Sequence, residues 1–280
     1  MAEPLIRNIS DTARWVAVYR ANETERADAL FRDPYARRLA GERGAEIERS
    51  MRSGEDTSWS WTARTCLFDE MVFNEVEKGA DLVLNLAAGL DARPYRMKLP
   101  SSLRWIEVDL PEILAYKEEI LRDAKPACAV ERIALDLSIP EARRDLFTKL
   151  AGSARRIVVL SEGLLIYLSP EQVGELARDL AERPSFQRWI VDICSPGLRE
   201  MLAKKIEGLR DIGHSLQFAP PEGPQFFTPY GWRPMEVRSL LKTAGRQKRL
   251  PLFLRVLSLL PESKGAQGKR PWAAACLMAR

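Results

Sequence analysis

From residue 81 onward, short apolar runs alternate with amphipathic stretches. The runs at 82–86, 103–108, 129–135, 156–160, 188–193 and 272–278 are short and mainly apolar, which predicts strands, with a weaker seventh near 247–253. Between them, apolar residues recur at helical spacing over 112–123, 139–150, 170–182 and 233–243. Strand and helix in this rhythm describe an α/β chain built on a mostly parallel, doubly wound, Rossmann-like sheet.

Residues 10–78 precede the first strand and are patterned as helices. Ser10-Asp-Thr is a capping sequence for an amphipathic stretch over 13–20, and 66–76 carries a second helical spacing. Charge and glycine dominate 42–56, the composition of a mobile connection. Residues 195–231 interrupt the later rhythm with Pro196, Pro220, Pro221, Pro224 and Pro229 around an aromatic core. That is too long for an ordinary connection, and it predicts a lid or pocket wall. The expected division is a helical cap over 1–80, a Rossmann-like core over 81–194 and 232–280, and a lid over 195–231, all in one structural unit.

The bulk numbers narrow the field without naming a function. The 280 residues carry 43 basic and 39 acidic side chains, a mild excess whose signs are read as interleaved. No nucleic-acid stripe is expected from them. Cys66, Cys128, Cys194 and Cys276 are far apart and form no C-x-x-C pair, so no metal site is expected and the thiols read as buried in a reducing compartment. The opening Met-Ala-Glu-Pro-Leu-Ile-Arg lacks a signal pattern, and no apolar run is long enough to span a bilayer. A cytoplasmic protein without membrane contact is the expectation.

Candidate chemistry gathers where the strands end. In Asn85-Leu-Ala-Ala-Gly-Leu-Asp-Ala-Arg93 the chain leaves the first strand on small residues, and Gly89 allows a ligand close to the backbone. Asp109 ends the second run twenty residues later, placed either to accept ribose hydroxyls or to cap the helix opening at Pro111. Asp136 ends the third run, where an acid can accept from an adenine amine, and Glu162 follows the fourth beside Gly163. Ligands collect at this edge of such sheets. Because the loop lacks G-x-G-x-x-G, a pyrophosphate has no seat, and a nucleoside without a diphosphate, such as S-adenosylmethionine, fits better. Asn85 and Asp91 belong to that loop as ligand contacts or as turn formers. Arg64, in the helical prelude, can pair with a carboxylate or simply lie exposed. Tyr167 reads as catalytic or as core. His214, the only histidine, reads as a general base or a solvated loop residue. Phe226, Phe227 and Trp232 either wall an acceptor pocket or anchor the lid to the core.

Together these stretches resemble the leucine carboxyl methyltransferase family, in its bacterial branch of O-methyltransferases of polyketide and other natural-product pathways. The likeness covers most of the chain. Asp11-Thr-Ala and the stretch from Tyr19 to Pro34 resemble the family's N-terminal helices, and Ala63-Arg-Thr65 with Asp69 its arginine-bearing helix. The loop from Asn85 with its D-x-R ending, Glu107-Val-Asp109-Leu-Pro, Leu135-Asp136-Leu137, Ser161-Glu-Gly-Leu-Leu-Ile-Tyr-Leu168 and Phe226-Phe-x-Pro-x-Gly-Trp232 stand where the family has its glycine, ribose, adenine, E-G-L-x-x-Y-L and late aromatic motifs. Cys66 departs from many relatives, which carry a second basic residue there.

The resemblance implies a seven-stranded class I methyltransferase sheet and S-adenosyl-L-methionine as cofactor. It implies Arg64 on the cofactor carboxylate and Gly89 under its methionine part, with Asn85, Ala87, Asp91 and Arg93 in the same loop. Asp109, with Leu110 beside it, would meet the ribose, Asp136 and Leu137 the adenine, and Glu162 with Gly163 the amino group. The acceptor is expected to be a small-molecule carboxylate or acidic hydroxyl. A carboxylate is already ionised, whereas a phenol, with a pKa of about 10, needs a base. The alternatives are an NAD(P)-dependent Rossmann oxidoreductase and a protein C-terminal carboxyl methyltransferase.

Overall fold

The central strands are buried from end to end, which explains why they are legible as unbroken apolar runs. In the computed structural model, which describes residues 9–51, 58–205, 216–261 and 268–280, β1 (Leu82–Leu86) and β4 (Ile157–Ser161) have no exposed residue. They are flanked by β2 (Arg104–Asp109), β3 (Ala129–Ala134) and β5 (Phe186–Cys194). Two later strands, β6 (Arg233–Ser239) and β7 (Ala273–Ala279), complete a seven-stranded sheet in the order β3-β2-β1-β4-β5-β7-β6. The first five strands are parallel, and β7 runs antiparallel between β5 and β6. The expected Rossmann-like seven-stranded class I methyltransferase sheet is the observed one. Winding reverses between β1 and β4, so a crevice opens beyond their carboxyl ends.

The helices α1 (Ile9–Glu25), α2 (Ala36–Met51) and α3 (Ser58–Glu77) come first. α3 buries Leu67, Phe68, Met71 and Val72 against Val83, Trp105, Val158 and Leu277 of the sheet. It therefore forms a layer of the core. α1 and α2 pack on Leu90, Ala92 and Ile113, over the carboxyl end of the sheet. The connection expected over 42–56 is helical as far as Met51, with a break at Gly41, whose φ is 61°. Behind the strands come α4 (Arg93–Arg96), α5 (Pro111–Leu121), α6 (Pro140–Ala151), α7 (Pro170–Ala181), α8 (Pro196–Lys205), α9 (Leu240–Arg246) and α10 (Leu252–Leu259).

Two expectations are corrected in the last quarter of the chain. The helix expected over 233–243 is strand β6 through Ser239 and helix α9 only from Leu240. β6 is an edge strand that tolerates Pro234, and its pattern is inverted. Met235 and Val237 face solvent, while half-buried Arg238 on the other face pairs with the exposed Glu70 of α3 at 2.6 Å. The weak strand near 247–253 is a turn with Lys248 at φ 58°, followed by the start of α10.

The later part of the expected lid, residues 216–231, packs on the core. After α8, residues 216–231 return to the core: the N–H groups of Gln217 and Phe218 both donate to the Ile166 carbonyl. Phe218, Phe227 and Trp232 are buried in the main cluster with Trp189. No helix among the described residues is long and apolar enough to cross a membrane.

Candidate functional site at the carboxyl edge of the sheet

The turn out of β1 is backbone held in an unusual conformation. Ala87 and Gly89 have φ of 53° and 47°, the left-handed region that costs a non-glycine residue about 1–2 kcal/mol. The Ala88 N–H donates to the Val108 carbonyl, and the Gly89 N–H donates to Asp109 Oδ2 at 2.6 Å. The Leu110 N–H donates to the other oxygen of Asp109 at 2.7 Å. The acid at the end of β2 thus ties the β1 turn to the start of α5. Burial pushes its carboxyl above the usual range, with the two N–H donors pulling the other way. Leu110 stands half-open at the rim, 43% exposed. From above, α1 closes on the turn, since a Cβ on Gly89 would lie 3.4 Å from the Ala13 Cβ.

Beside this turn lies a lattice of charge from four elements. Arg64 of α3 donates from Nε to Glu162 Oε1 and from Nη1 to Asp192 Oδ2, each at 2.9 Å. The other oxygen of Asp192 accepts from the Gly163 N–H at 2.7 Å, and Gly163 has φ 72°. A Cβ on Gly163 would lie 3.5 Å from the Arg64 guanidinium. Arg93 joins Asp69, Asp91 and Glu162 at 2.7, 3.0 and 2.8 Å. Arg96 completes the set with a two-pronged pair onto Asp69. Asn85 donates to Asp91 Oδ2 at 2.9 Å, which fixes the D-x-R turn from below.

The charges shape one another. Burial opposes ionisation of Asp91, but Arg93, Lys117 and Arg96 hold its carboxyl down at about 2. Burial likewise works against the Arg64 cation, and Asp192 and Glu162 raise its pKa above the ordinary arginine value. Deeper still, Lys117 Nζ and Glu107 form a fully buried pair at 2.7 Å beneath the Asp109 end of β2. Glu107 is pushed upward by burial, against Lys117 and Arg132.

The structure therefore brings Arg64, Asn85, Ala87, Gly89, Asp91, Arg93, Asp109, Leu110, Glu162 and Gly163 to one edge. Asp136 stands at the end of β3, exposed, with Oδ1 accepting from the Ser138 N–H at 2.9 Å. Leu137 beside it lines a small cavity of about 70 Å³ with Leu164 and Leu168. Tyr167 lies in a turn after β4, and burial raises its phenol, with Thr12 and Arg64 acting in the opposite sense. His214 lies outside the described residues. Phe227 and Trp232 are fully buried, edge-on to Trp189, and the Trp232 indole N–H donates to the Ala177 carbonyl at 2.9 Å. They are core, not the wall of an open pocket. Phe226 is half-buried against the same cluster.

Sequence reasoning does not single out Asp192 or Arg96. The available signal for Asp192 is one acid inside the apolar run Trp189-Ile-Val-Asp-Ile-Cys.

The sheet order β3-β2-β1-β4-β5-β7-β6, with β7 antiparallel, is that of the class I methyltransferase type of fold. The chain belongs to the leucine carboxyl methyltransferase family, whose pattern matches residues 13–181. A protein of Parafrankia sp. (strain EAN1pec), named as a candidate S-adenosyl-L-methionine-dependent methyltransferase, is 29% identical over 277 residues, spanning 93% of this chain and 88% of its own. One of Streptomyces coelicolor with the same description is 34% identical over 206 residues, covering 69% and 71%. Among solved structures, a DUF574 family protein from Streptomyces avermitilis aligns with TM-score 0.59 at 13% identity, over 96% of this chain and 97% of that one. A candidate methyltransferase from Thermobifida fusca aligns with TM-score 0.58 at 16% identity, over 96% and 94%. At these identities the two structures speak for the fold alone.

Proposed function

We propose that the protein is an S-adenosyl-L-methionine-dependent O-methyltransferase whose acceptor is a small molecule already anionic near neutral pH, a carboxylate before an acidic hydroxyl. Family membership favours methyl transfer over the nicotinamide-dependent alternative. The donor set of the edge fits an amino-acid nucleoside. A zwitterionic end needs both signs of charge, and Arg64 stands between Glu162 and Asp192. Its Nη1 and Nε are engaged, while Nη2 has no hydrogen bond among the described contacts and is free for the donor's carboxylate. Glu162 and Asp192 are there for its ammonium. Each Asp109 oxygen accepts one N–H and keeps a lone pair for the ribose diol. Leu110 and Leu137 offer apolar contact to adenine.

When bound, the donor supplies a methyl group on a sulfonium that departs as a neutral thioether. The protein has to fix that group, align the acceptor oxygen and exclude water. The observation that carries the choice of acceptor is the state of the groups around the edge. Burial raises the Tyr167 phenol and pushes the Cys66 and Cys194 thiols up to about 12. Glu162, Asp91 and Asp192 are held by arginines. Among the described residues, the Tyr167 phenol and the Cys66 and Cys194 thiols are thereby kept protonated and unsuited to deprotonating a neutral hydroxyl, and a neutral Tyr167 is left to donate a hydrogen bond.

Methyl-labelled donor incubated with a panel of carboxylic acids and phenols tests this reading. The expected product is a methyl ester, whose label is released by mild alkali. Label found only in alkali-stable ethers or amines overturns it.

A further inference from the structure

Helix α10 presents its outer side to solvent, with nothing among the described residues covering it. Leu252, Phe253, Val256, Leu257 and Leu259 are 48–83% exposed, Leu260 continues the patch, and none of the helix's residues is buried. At 3.6 residues per turn the five helical positions sweep an arc of about 160°. The inner side is the one that packs: Leu254 leans on the α3 cluster, and a Cβ on Gly245 of α9 would lie 2.7 Å from Ser258 Oγ. A helix apolar on both sides is ordinarily enclosed.

The surroundings are basic. Arg255 on the helix, and Arg246 and Lys248 at the adjoining end of α9, are exposed. The interleaving of charge expected from composition ends at residue 239. Residues 240–280 hold nine lysines and arginines and a single acid, Glu262, so the chain's positive balance lies entirely there. A second copy of the chain on this face would set basic rims against each other across a two-fold axis. An anionic surface satisfies both features at once.

We propose that α10 is an interfacial anchor that lies in the surface of an anionic lipid bilayer. Its apolar arc sits at the acyl boundary, and Arg246, Lys248 and Arg255 lie among the headgroups. This revises the expectation of no membrane contact and is independent of the methyl-transfer reading. With one short helix and a few charges, the binding is reversible and salt-sensitive.

Flotation of the full-length protein with phosphatidylcholine vesicles, with and without phosphatidylglycerol, tests it. Protein is expected to float with the anionic vesicles at low salt and to stay behind with the zwitterionic ones. Arg246→Gln with Lys248→Gln is expected to lower the partition coefficient about thirtyfold, the equivalent of about 1 kcal/mol for each basic residue near such a surface. Phe253→Ser with Leu259→Ser is expected to abolish flotation with thermal unfolding unchanged, because both side chains are exposed at 67% and 83%. Failure to float on anionic vesicles overturns the proposal, as does flotation indifferent to lipid charge or retained by the serine variant. A vesicle-indifferent protein whose self-association in sedimentation velocity disappears with those serines assigns the face to a second copy instead.

Discussion

Replacing Asp109 with alanine separates two jobs held by one carboxylate. In the protein alone, the change removes the acceptor for the Gly89 and Leu110 N–H groups, at 2.6 and 2.7 Å. Water can reach this half-open edge, so the cost to folding is about 1 kcal/mol for the lost net hydrogen bonding. Toward the nucleoside, the change removes a charged acceptor for the ribose, worth about 1.5–3 kcal/mol, or roughly 10- to 150-fold in affinity. Calorimetry with S-adenosylhomocysteine and with adenosine reads the second quantity. Both ligands carry the ribose, so both are expected to weaken by the same factor. Arg64→Gln serves as the counter-experiment, because the methionyl end is missing from adenosine. That variant is expected to weaken S-adenosylhomocysteine and leave adenosine nearly untouched. Wild-type affinity for both ligands in a folded Asp109→Ala protein refutes the ribose assignment. Equal losses of both ligands in Arg64→Gln refute the division of the edge into a sugar end and an amino-acid end.

Two further outcomes concern stability. Trp232→Ala is expected to cost about 3–5 kcal/mol in urea unfolding, the range for a large buried aromatic, whereas a raised acceptor KM at wild-type stability would return it to a pocket wall. Asp91, held at about 2 against an ordinary value of about 4, stabilises the fold above its unfolded pKa, and that contribution of about 2 kcal/mol is lost as pH falls from about 4 through 2. Asp91→Asn is expected to flatten that part of the acid limb of the urea midpoint, and an unchanged limb rejects the assignment.

What could be read from the sequence follows from how each element is solvated. β1 is read to the residue, because a strand buried on both faces leaves an uninterrupted apolar run bounded by Asp81 and the small residues after Leu86. β6 is misread because its inward positions are polar. Arg238 satisfies Glu70 across the layer, and the apolar Met235 and Val237 point to solvent, so alternation gives the wrong face and merges with the helical spacing of Leu240 and Leu241. Gly89, Asp109 and Glu162 were legible because strand ends are marked by a change from apolar to small or acidic residues. Asp192 was not, since it lies within β5, and its partners Arg64 and Gly163 are distant in the chain. The buried pair of Lys117 with Glu107 was equally hidden, because each charge alone resembles an ordinary surface residue. Phe227 and Trp232 admitted two readings, and only packing against Trp189 chooses between them.

The ion lattice has an odd number of members. Asp69, Asp91, Glu162 and Asp192 share Arg64, Arg93 and Arg96, four carboxylates on three guanidiniums, with Lys117 acting on Asp91 from below. With the donor in the proposed place, an acid-rich basin of this kind is expected to hold a positively charged sulfur compound more firmly than the neutral one that remains once its methyl group has gone. The spent molecule is therefore expected to be the easier of the two to dislodge, and fresh donor to compete for the vacated place with an electrostatic advantage that the arginines alone would have denied it.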